Sequence, residues 1–129
     1  MLRSEEPYSS SSGALLADVE ANRVGGLAST ITLAEILVGA YKAGDMATKT
    51  VHLALSKLEV GGFKFVSVDK VVAGKGAEIR AKYRLKLPDA LVAATALFGR
   101  VHRLVSRDKE IYARVAGLKV STPEELGYR

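Results

Sequence analysis

Three acidic residues occupy positions from which their carboxylates could act together. Glu35 is the only charged residue of 24–41, and Asp89 is the only charged residue of 87–99. Asp108 comes just after a short apolar stretch. A carboxylate within an apolar helix is unfavourable unless it is paired, and acids that converge repel each other. A divalent cation would relieve both effects, and ligation by oxygen alone suits Mg²⁺ or Mn²⁺.

The elements that would carry these acids alternate between strand and helix. Strands are predicted over 27–29, 63–68, 103–106 and 118–121, and helices over 13–23, 32–41, 45–60, 69–83, 88–98 and 108–115. This alternation is typical of a parallel sheet with helices on both faces, in which ligands bind at the carboxyl ends of the strands. Glu35 and Asp108 each follow such a strand end, and Asp89 stands in the first turn of a helix that would bring it to the same edge. The length of 129 residues indicates one domain, 1–129.

Each acid also has a simpler local interpretation. The spacing from Thr32 to Glu35 fits a capping box, in which the glutamate serves the backbone N–H of the threonine. Asp89 follows Pro88 in a first helical turn, where a negative charge complements the helix dipole. Asp108 has the residue type of an N-cap. For three acids at one sheet edge, two of them in apolar helices, we favour the shared cation. The helix over 32–41 is apolar nearly all round, so we expect it to be buried.

The composition excludes several classes of protein. There is no cysteine, which excludes a disulfide scaffold, a thiolate zinc site and a cysteine nucleophile. The longest apolar stretch, 90–98, is far too short to span a membrane, and acids stand where a signal peptide would be apolar. We therefore expect a cytoplasmic protein. The 19 Lys and Arg against 14 Asp and Glu give a net charge of +5, which favours an anionic partner or serves solubility.

Basic residues cluster before and after the second acid. They could line an approach for an RNA backbone without reading its bases, or they could be a solvated helix end whose cations complement the dipole. The candidate RNA-binding residues are Arg80, Lys82, Arg84, Lys86 and Arg107, with Arg100 and Arg103 nearby.

Three motifs around the acids, and a tail after them, resemble a known family. They are STITLAEILVG at 29–39, LKLPDALVAATA at 85–96, LVSRDKE at 104–110 and GLKVSTPEEL at 117–126. Their order and spacing are similar to those of PIN domains, most of all the small prokaryotic toxins of VapC type. The resemblance implies an α/β fold with three α/β/α layers and a mainly parallel central sheet.

The resemblance also implies an activity and partners. PIN domains are metal-dependent ribonucleases, so Glu35, Asp89 and Asp108 would be the catalytic and metal-binding carboxylates for Mg²⁺ or Mn²⁺, with Ser106 as a supporting hydroxyl. The expected partners are an RNA substrate, a second copy in a homodimer, and a small antitoxin protein that inserts a basic side chain into the acidic pocket. The apolar helices at 13–24 and 31–41 are expected contact regions. The alternative is a catalytically inactive PIN-like module that binds protein or RNA.

One departure from the family bears on activity. PIN domains begin with a central strand that ends in an aspartate, and the first residues here, MLRSEEP, resemble the segment after that strand. Asp18 lies in the middle of a predicted helix and does not replace that aspartate. We therefore expect the first central strand to be absent, with Met1 an internal methionine of a longer natural product. Mass spectrometry of the natural protein tests this expectation. A chain without that strand would lack one metal ligand and be weakly active or inactive.

Overall fold

Four short strands form two parallel pairs in the computed structural model, which describes residues 17–18, 25–101, 103–106 and 109–127. The pairs are β1 (Leu27–Ser29) with β2 (Lys64–Val66), and β3 (Leu104–Val105) with β4 (Val120–Ser121). All four strands fall within predicted ones, although three are shorter than predicted. The parallel pairing confirms the α/β class that the alternating pattern predicted.

Helices connect and flank these strands. They are α1 (Thr30–Ala43), α2 (Asp45–Val60), α3 (Lys70–Tyr83), α4 (Leu87–Phe98) and α5 (Lys109–Ala113), followed by a 3-10 helix, Glu124–Leu126. The helix predicted over 13–23 lies outside the described residues except for Ala17 and Asp18, which are helical. Of the helices in the described part of the chain, none is long and apolar enough to cross a membrane.

Side-chain caps fix where two of the helices begin. The Ile31 N–H donates to Ser29 Oγ at 3.1 Å, so Ser29 is the N-cap and α1 begins at Thr30. The Val72 N–H donates to Asp69 Oδ1 at 2.9 Å at the start of α3. In α2 the N-cap is Gly44 and not Asp45, which is the first helical residue. There its charge complements the helix dipole instead.

The core is built around α4. Its buried residues are Ala90, Val92, Ala93, Ala94, Thr95 and Ala96. Helix α3 packs against it at Gly76, where an added Cβ would lie 2.6 Å from Leu91 Cδ2. This close approach explains a glycine inside a helix, where it costs about 1 kcal/mol relative to alanine.

The expectation that α1 is buried is wrong. Only Thr32 and Ala40 of α1 are buried, and Tyr41 is 63% exposed. The helix contacts α2, α4 and both strands of the first pair, and these neighbours leave its outer face uncovered. An apolar sequence shows that a helix is able to be buried on several faces. Which faces are buried depends on the elements that pack against it.

Backbone hydrogen bonds join the strands within each of the two pairs. The Lys64 N–H donates to Gly26 O at 3.1 Å, and the Leu104 N–H donates to Lys119 O at 2.8 Å. Because alternate residues of a strand direct their peptide groups to opposite sides, those of Leu27 and Ser29 face away from β2. Within the described residues no strand joins β1 to β3.

Candidate active site

Asp89 lies in the first turn of α4 and is half-buried. Pro88 stands just before it, at a position where a missing backbone N–H has no cost. The hydroxyl of Tyr112 donates to Asp89 Oδ1 at 3.3 Å. The helix N-terminus also favours a negative charge at this point. The carboxylate is therefore held between the start of α4 and the core without being fully withdrawn from solvent.

Glu35 lies one and a half turns into α1 and its side chain is exposed. The unfavourable burial expected of this carboxylate therefore does not arise in the described structure. The capping box that was the simpler interpretation of Thr32 and Glu35 is not formed, because Ser29 is the N-cap of the helix. Thr32 Oγ1 is instead buried with no hydrogen-bond partner among the described residues. Helices α1 and α4 contact each other, so the elements that carry Glu35 and Asp89 are neighbours.

The third acid of the predicted set, Asp108, follows the end of β3 in the sequence. Asp108 and Arg107 lie outside the described residues. Ser106, directly before them, is buried, and its N–H donates to Ser121 O at 3.0 Å. The described part of the chain contains no group of three His, Cys, Asp or Glu residues that could hold a metal ion. Its two candidate carboxylates have the oxygen donors that Mg²⁺ and Mn²⁺ prefer, and a third ligand would have to come from elsewhere.

The basic residues before Asp89 are exposed but differ in their contacts. Arg80 Nη1 donates to Leu85 O at 3.0 Å, which ties the end of α3 to the following turn. The Lys82 ammonium lies 5.3 Å from the centre of the Tyr83 ring. Lys86 is the N-cap residue of α4 and makes no side-chain cap bond. Arg80 thus has the helix-end role that was the simpler interpretation.

Two other exposed basic residues have backbone or strand roles. Arg84 ends α3 in the left-handed conformation, with φ of 57°. Arg103 Nη1 donates to Ser121 Oγ at 3.0 Å and joins the flanks of β3 and β4. Neither the backbone conformation of Arg84 nor the hydrogen bond of Arg103 neutralises a guanidinium charge, so both side chains contribute to a basic surface.

Tyr112 was not singled out as a site residue from the sequence. It is 1% exposed and belongs to the core cluster that surrounds α4. One signal could have found it, since it lies four residues after Asp108 in a predicted helix and would share a face with that acid. Its bond to Asp89 spans 23 residues of sequence, which no local pattern reveals.

Two hydrogen bonds lower the pKa of side chains near α5, one of them exposed and one half-buried. The Lys109 ammonium donates to Glu125 Oε2 at 2.9 Å, and this bond, followed by one from the Thr122 N–H, lowers the pKa of Glu125. The Ala116 N–H donates to the hydroxyl oxygen of Tyr83 at 3.1 Å, and this bond is the main cause that lowers the pKa of Tyr83. The first contact ties the beginning of α5, which carries Tyr112, to the 3-10 helix.

Comparisons with known proteins agree with these motifs. The PIN domain family model matches residues 2–118. No curated protein matches the chain. Seven chains of solved structures match it, among them one from a structure described as "Toxin-antitoxin complex from Klebsiella pneumoniae". That chain is 34% identical, with a TM-score of 0.60, over 74% of this chain and 71% of that one. PIN domains are generally nucleases with an α/β/α fold, and this chain belongs to the PIN domain family.

Proposed function

We propose that this chain is a metal-dependent endoribonuclease and the toxin of a toxin–antitoxin pair of VapC type. The observation that carries the proposal is Asp89, a lone half-buried carboxylate in the first turn of α4 whose oxygen is held by a buried hydroxyl. Family membership supports it, because PIN domains are generally nucleases. The similar chain in a toxin–antitoxin complex supports the biological setting.

Glu35, Asp89 and Asp108 would hold the metal ion through carboxylate oxygens. When bound, Mg²⁺ or Mn²⁺ would polarise a phosphodiester and make water a stronger nucleophile. Asp89 supplies the ligand whose orientation the protein fixes, through Tyr112 and the start of α4. Glu35 supplies a carboxylate from the solvent side, where a substrate phosphate can approach. Ser106, buried at the end of β3, supports the strand from which Asp108 follows.

RNA is the substrate that the charge of the chain favours. The net charge is +5, and Lys82, Arg84 and Lys86 expose their side chains shortly before Asp89. Cations at this place would bind phosphates and position the strand without selecting bases. Arg80 and Arg107 are proposed to join them, Arg80 by exchanging its bond to Leu85 O for a phosphate.

Protein partners are proposed on the outer faces of α1 and α2. Val38 and Tyr41 are exposed on α1, within one of the predicted contact regions. Met46, Leu53 and Val60 recur every seven residues on α2 and are also exposed. Exposed apolar side chains along one helix face are typical of protein–protein contacts. We propose that an antitoxin and a second copy of the chain cover these faces in a cytoplasmic complex.

The second candidate function is an inactive PIN-like interaction module. The exposed side chain of Glu35 favours it, because exposed acids on helix surfaces are common without a metal. The two functions differ in one simple property. A catalytic metal site gains thermal stability from Mn²⁺ by mass action, whereas an inactive module does not.

Cleavage of a mixed RNA pool in Mn²⁺ tests the proposal. The parent should cleave RNA, and D89N, which loses a metal ligand, should cleave at least about 100-fold more slowly. D45N is the matched control, because Asp45 also stands in the first turn of a helix but far along the chain from the proposed site. It should keep the parent's activity and its stabilisation by Mn²⁺. Equal activity of D89N and the parent, or no cleavage and no stabilisation by Mn²⁺, would leave the interaction module as the better account.

A further inference from the structure

The contact between α5 and the first turn of α4 joins a fully buried hydroxyl to the candidate ligand. Tyr112 is among the largest fully buried side chains, and its hydroxyl donates to Asp89 Oδ1 at 3.3 Å. Buried tyrosines place a rigid ring in apolar surroundings and direct the polar tip to a partner. Here the tip reaches a carboxylate that is itself only half-buried. The bond therefore runs from the core outward to the site.

The ring of Tyr112 is fixed independently of that bond. It belongs to the core cluster that contains Ala90, Ala93 and Ala94 of α4, all three with no exposed surface. A side chain packed at core density has little freedom to change rotamer. The position of the hydroxyl is thus set by packing, and the carboxylate must adjust to it.

An aspartate by contrast has a soft terminal torsion. The rotation of its carboxylate about χ2 is broad, so the backbone of α4 alone does not select one orientation. A donor on Oδ1 selects one and leaves Oδ2 and the remaining lone pairs for another ligand. Removing a group that orients a metal ligand in this way typically lowers the metal affinity 10- to 100-fold.

We propose that Tyr112 is a positioning residue that orients the Asp89 carboxylate for the divalent cation, an inference that rests on the proposed function. The hydroxyl donates a hydrogen bond to Oδ1, and Oδ2 would be the oxygen left to hold the ion. Asp108 precedes Tyr112 by four residues in the sequence, so one short segment of the chain carries both a proposed ligand and the residue proposed to orient another.

Mn²⁺ binding to four proteins tests this role: the parent, Y112F, D89N and Y83F. Y112F keeps the ring and removes only the donor, so it should bind Mn²⁺ about tenfold more weakly or worse. Y83F is the matched control, since its hydroxyl accepts from the Ala116 N–H and makes no bond to Asp89. It should bind like the parent. Titration followed by electron paramagnetic resonance of free Mn²⁺ reports the affinity without any need for RNA cleavage.

The outcomes separate this inference from the proposed function. Loss of Mn²⁺ binding in D89N with unchanged binding in Y112F would overturn the role of Tyr112 and leave the metal site intact. Equal binding by D89N and the parent, or no binding by the parent, would overturn both. The shift of the unfolding temperature on adding Mn²⁺, taken from each variant's own metal-free value, keeps the comparison valid where Y112F is less stable. The double variant D89N/Y112F should show no further loss beyond D89N, because both substitutions act on one ligand.

Discussion

Helices α1 and α4 differ in burial although both are apolar with a single acid. Half of the twelve residues of α4 are buried, four of them alanines, whereas only two of the fourteen residues of α1 are. Helix α4 contacts three other helices and a strand, and Gly76 of α3 lets that helix approach Leu91 of α4 closely. Large residues of α1 such as Tyr41 project outward instead. A mainly apolar sequence thus forms a core in one helix and leaves an uncovered surface in the other.

The difference extends to the two acids. Asp89 stands on the packed helix and is held by a core tyrosine, so its position is set by the fold. Glu35 stands on the open helix, where its side chain is exposed. We infer that the packed helix supplies the fixed part of the site, and that the open helix supplies a ligand able to adjust when substrate or a partner binds.

The largest effect on stability should come from filling the packed helix. Ala93 has no exposed surface, so A93L forces a larger side chain into a closed space and should lower the free energy of unfolding by about 2–3 kcal/mol. A34L places the same change on the exposed face of α1 and should alter it by less than about 0.5 kcal/mol. Urea unfolding of both variants measures the contrast. Equal values for the two would show that α4 is not the more tightly packed helix.

A smaller effect should separate the two faces of α2. Leu55 is half-buried, whereas Leu53 is 60% exposed, and both lie in mid-helix. L55S should cost about 1–2 kcal/mol of unfolding free energy through lost apolar burial, and L53S less than about 0.5 kcal/mol. Unfolding at two protein concentrations measures both variants. A cost of L53S that equals that of L55S and grows with concentration would mean that a second copy covers the outer face.

Local features were predictable from the sequence because neighbouring residues determine them. Strand β1 covers 27–29, the three residues before the apolar helix for which a strand was predicted. Gly61 ends α2, as glycine often does at the end of a helix. The start of α1 was misplaced by two residues, because Ser29 and Thr32 are both suitable caps and only the backbone geometry distinguishes them.

Features of the site that depend on distant contacts were not predictable. The acids were identified from their isolation in apolar segments, and this pattern correctly located Asp89 at the start of a packed helix. The same pattern predicted a buried Glu35, which the structure shows exposed, because the sequence does not say which elements cover α1. The bond from Tyr112 to Asp89 joins two helices, and the bond from Arg80 to Leu85 O depends on how α3 ends.

The smallest expected effect concerns the surface contact that ties α5 to the 3-10 helix. The Lys109 ammonium and the Thr122 N–H both donate to Glu125 and lower the pKa of its carboxyl. A carboxyl with a lowered folded pKa stabilises the fold above its ordinary pKa, and this stabilisation is lost as the pH falls through the folded value. E125Q should therefore lower the urea midpoint slightly at neutral pH and leave it unchanged in acid below the folded pKa. Since the contact is exposed, salt should reduce the difference.

The partner variant distinguishes this contact from a general effect of charge. K109M removes the donor that is the main cause of the lowered pKa, so E125Q should have a smaller effect in that background. A neutral-pH difference of the same size with and without Lys109 would show that the ion pair does not anchor α5. The same result would mean that core packing alone, and not this ion pair, fixes the position of Tyr112. That packing is the feature that separates the α4 side of the molecule from the open faces of α1 and α2.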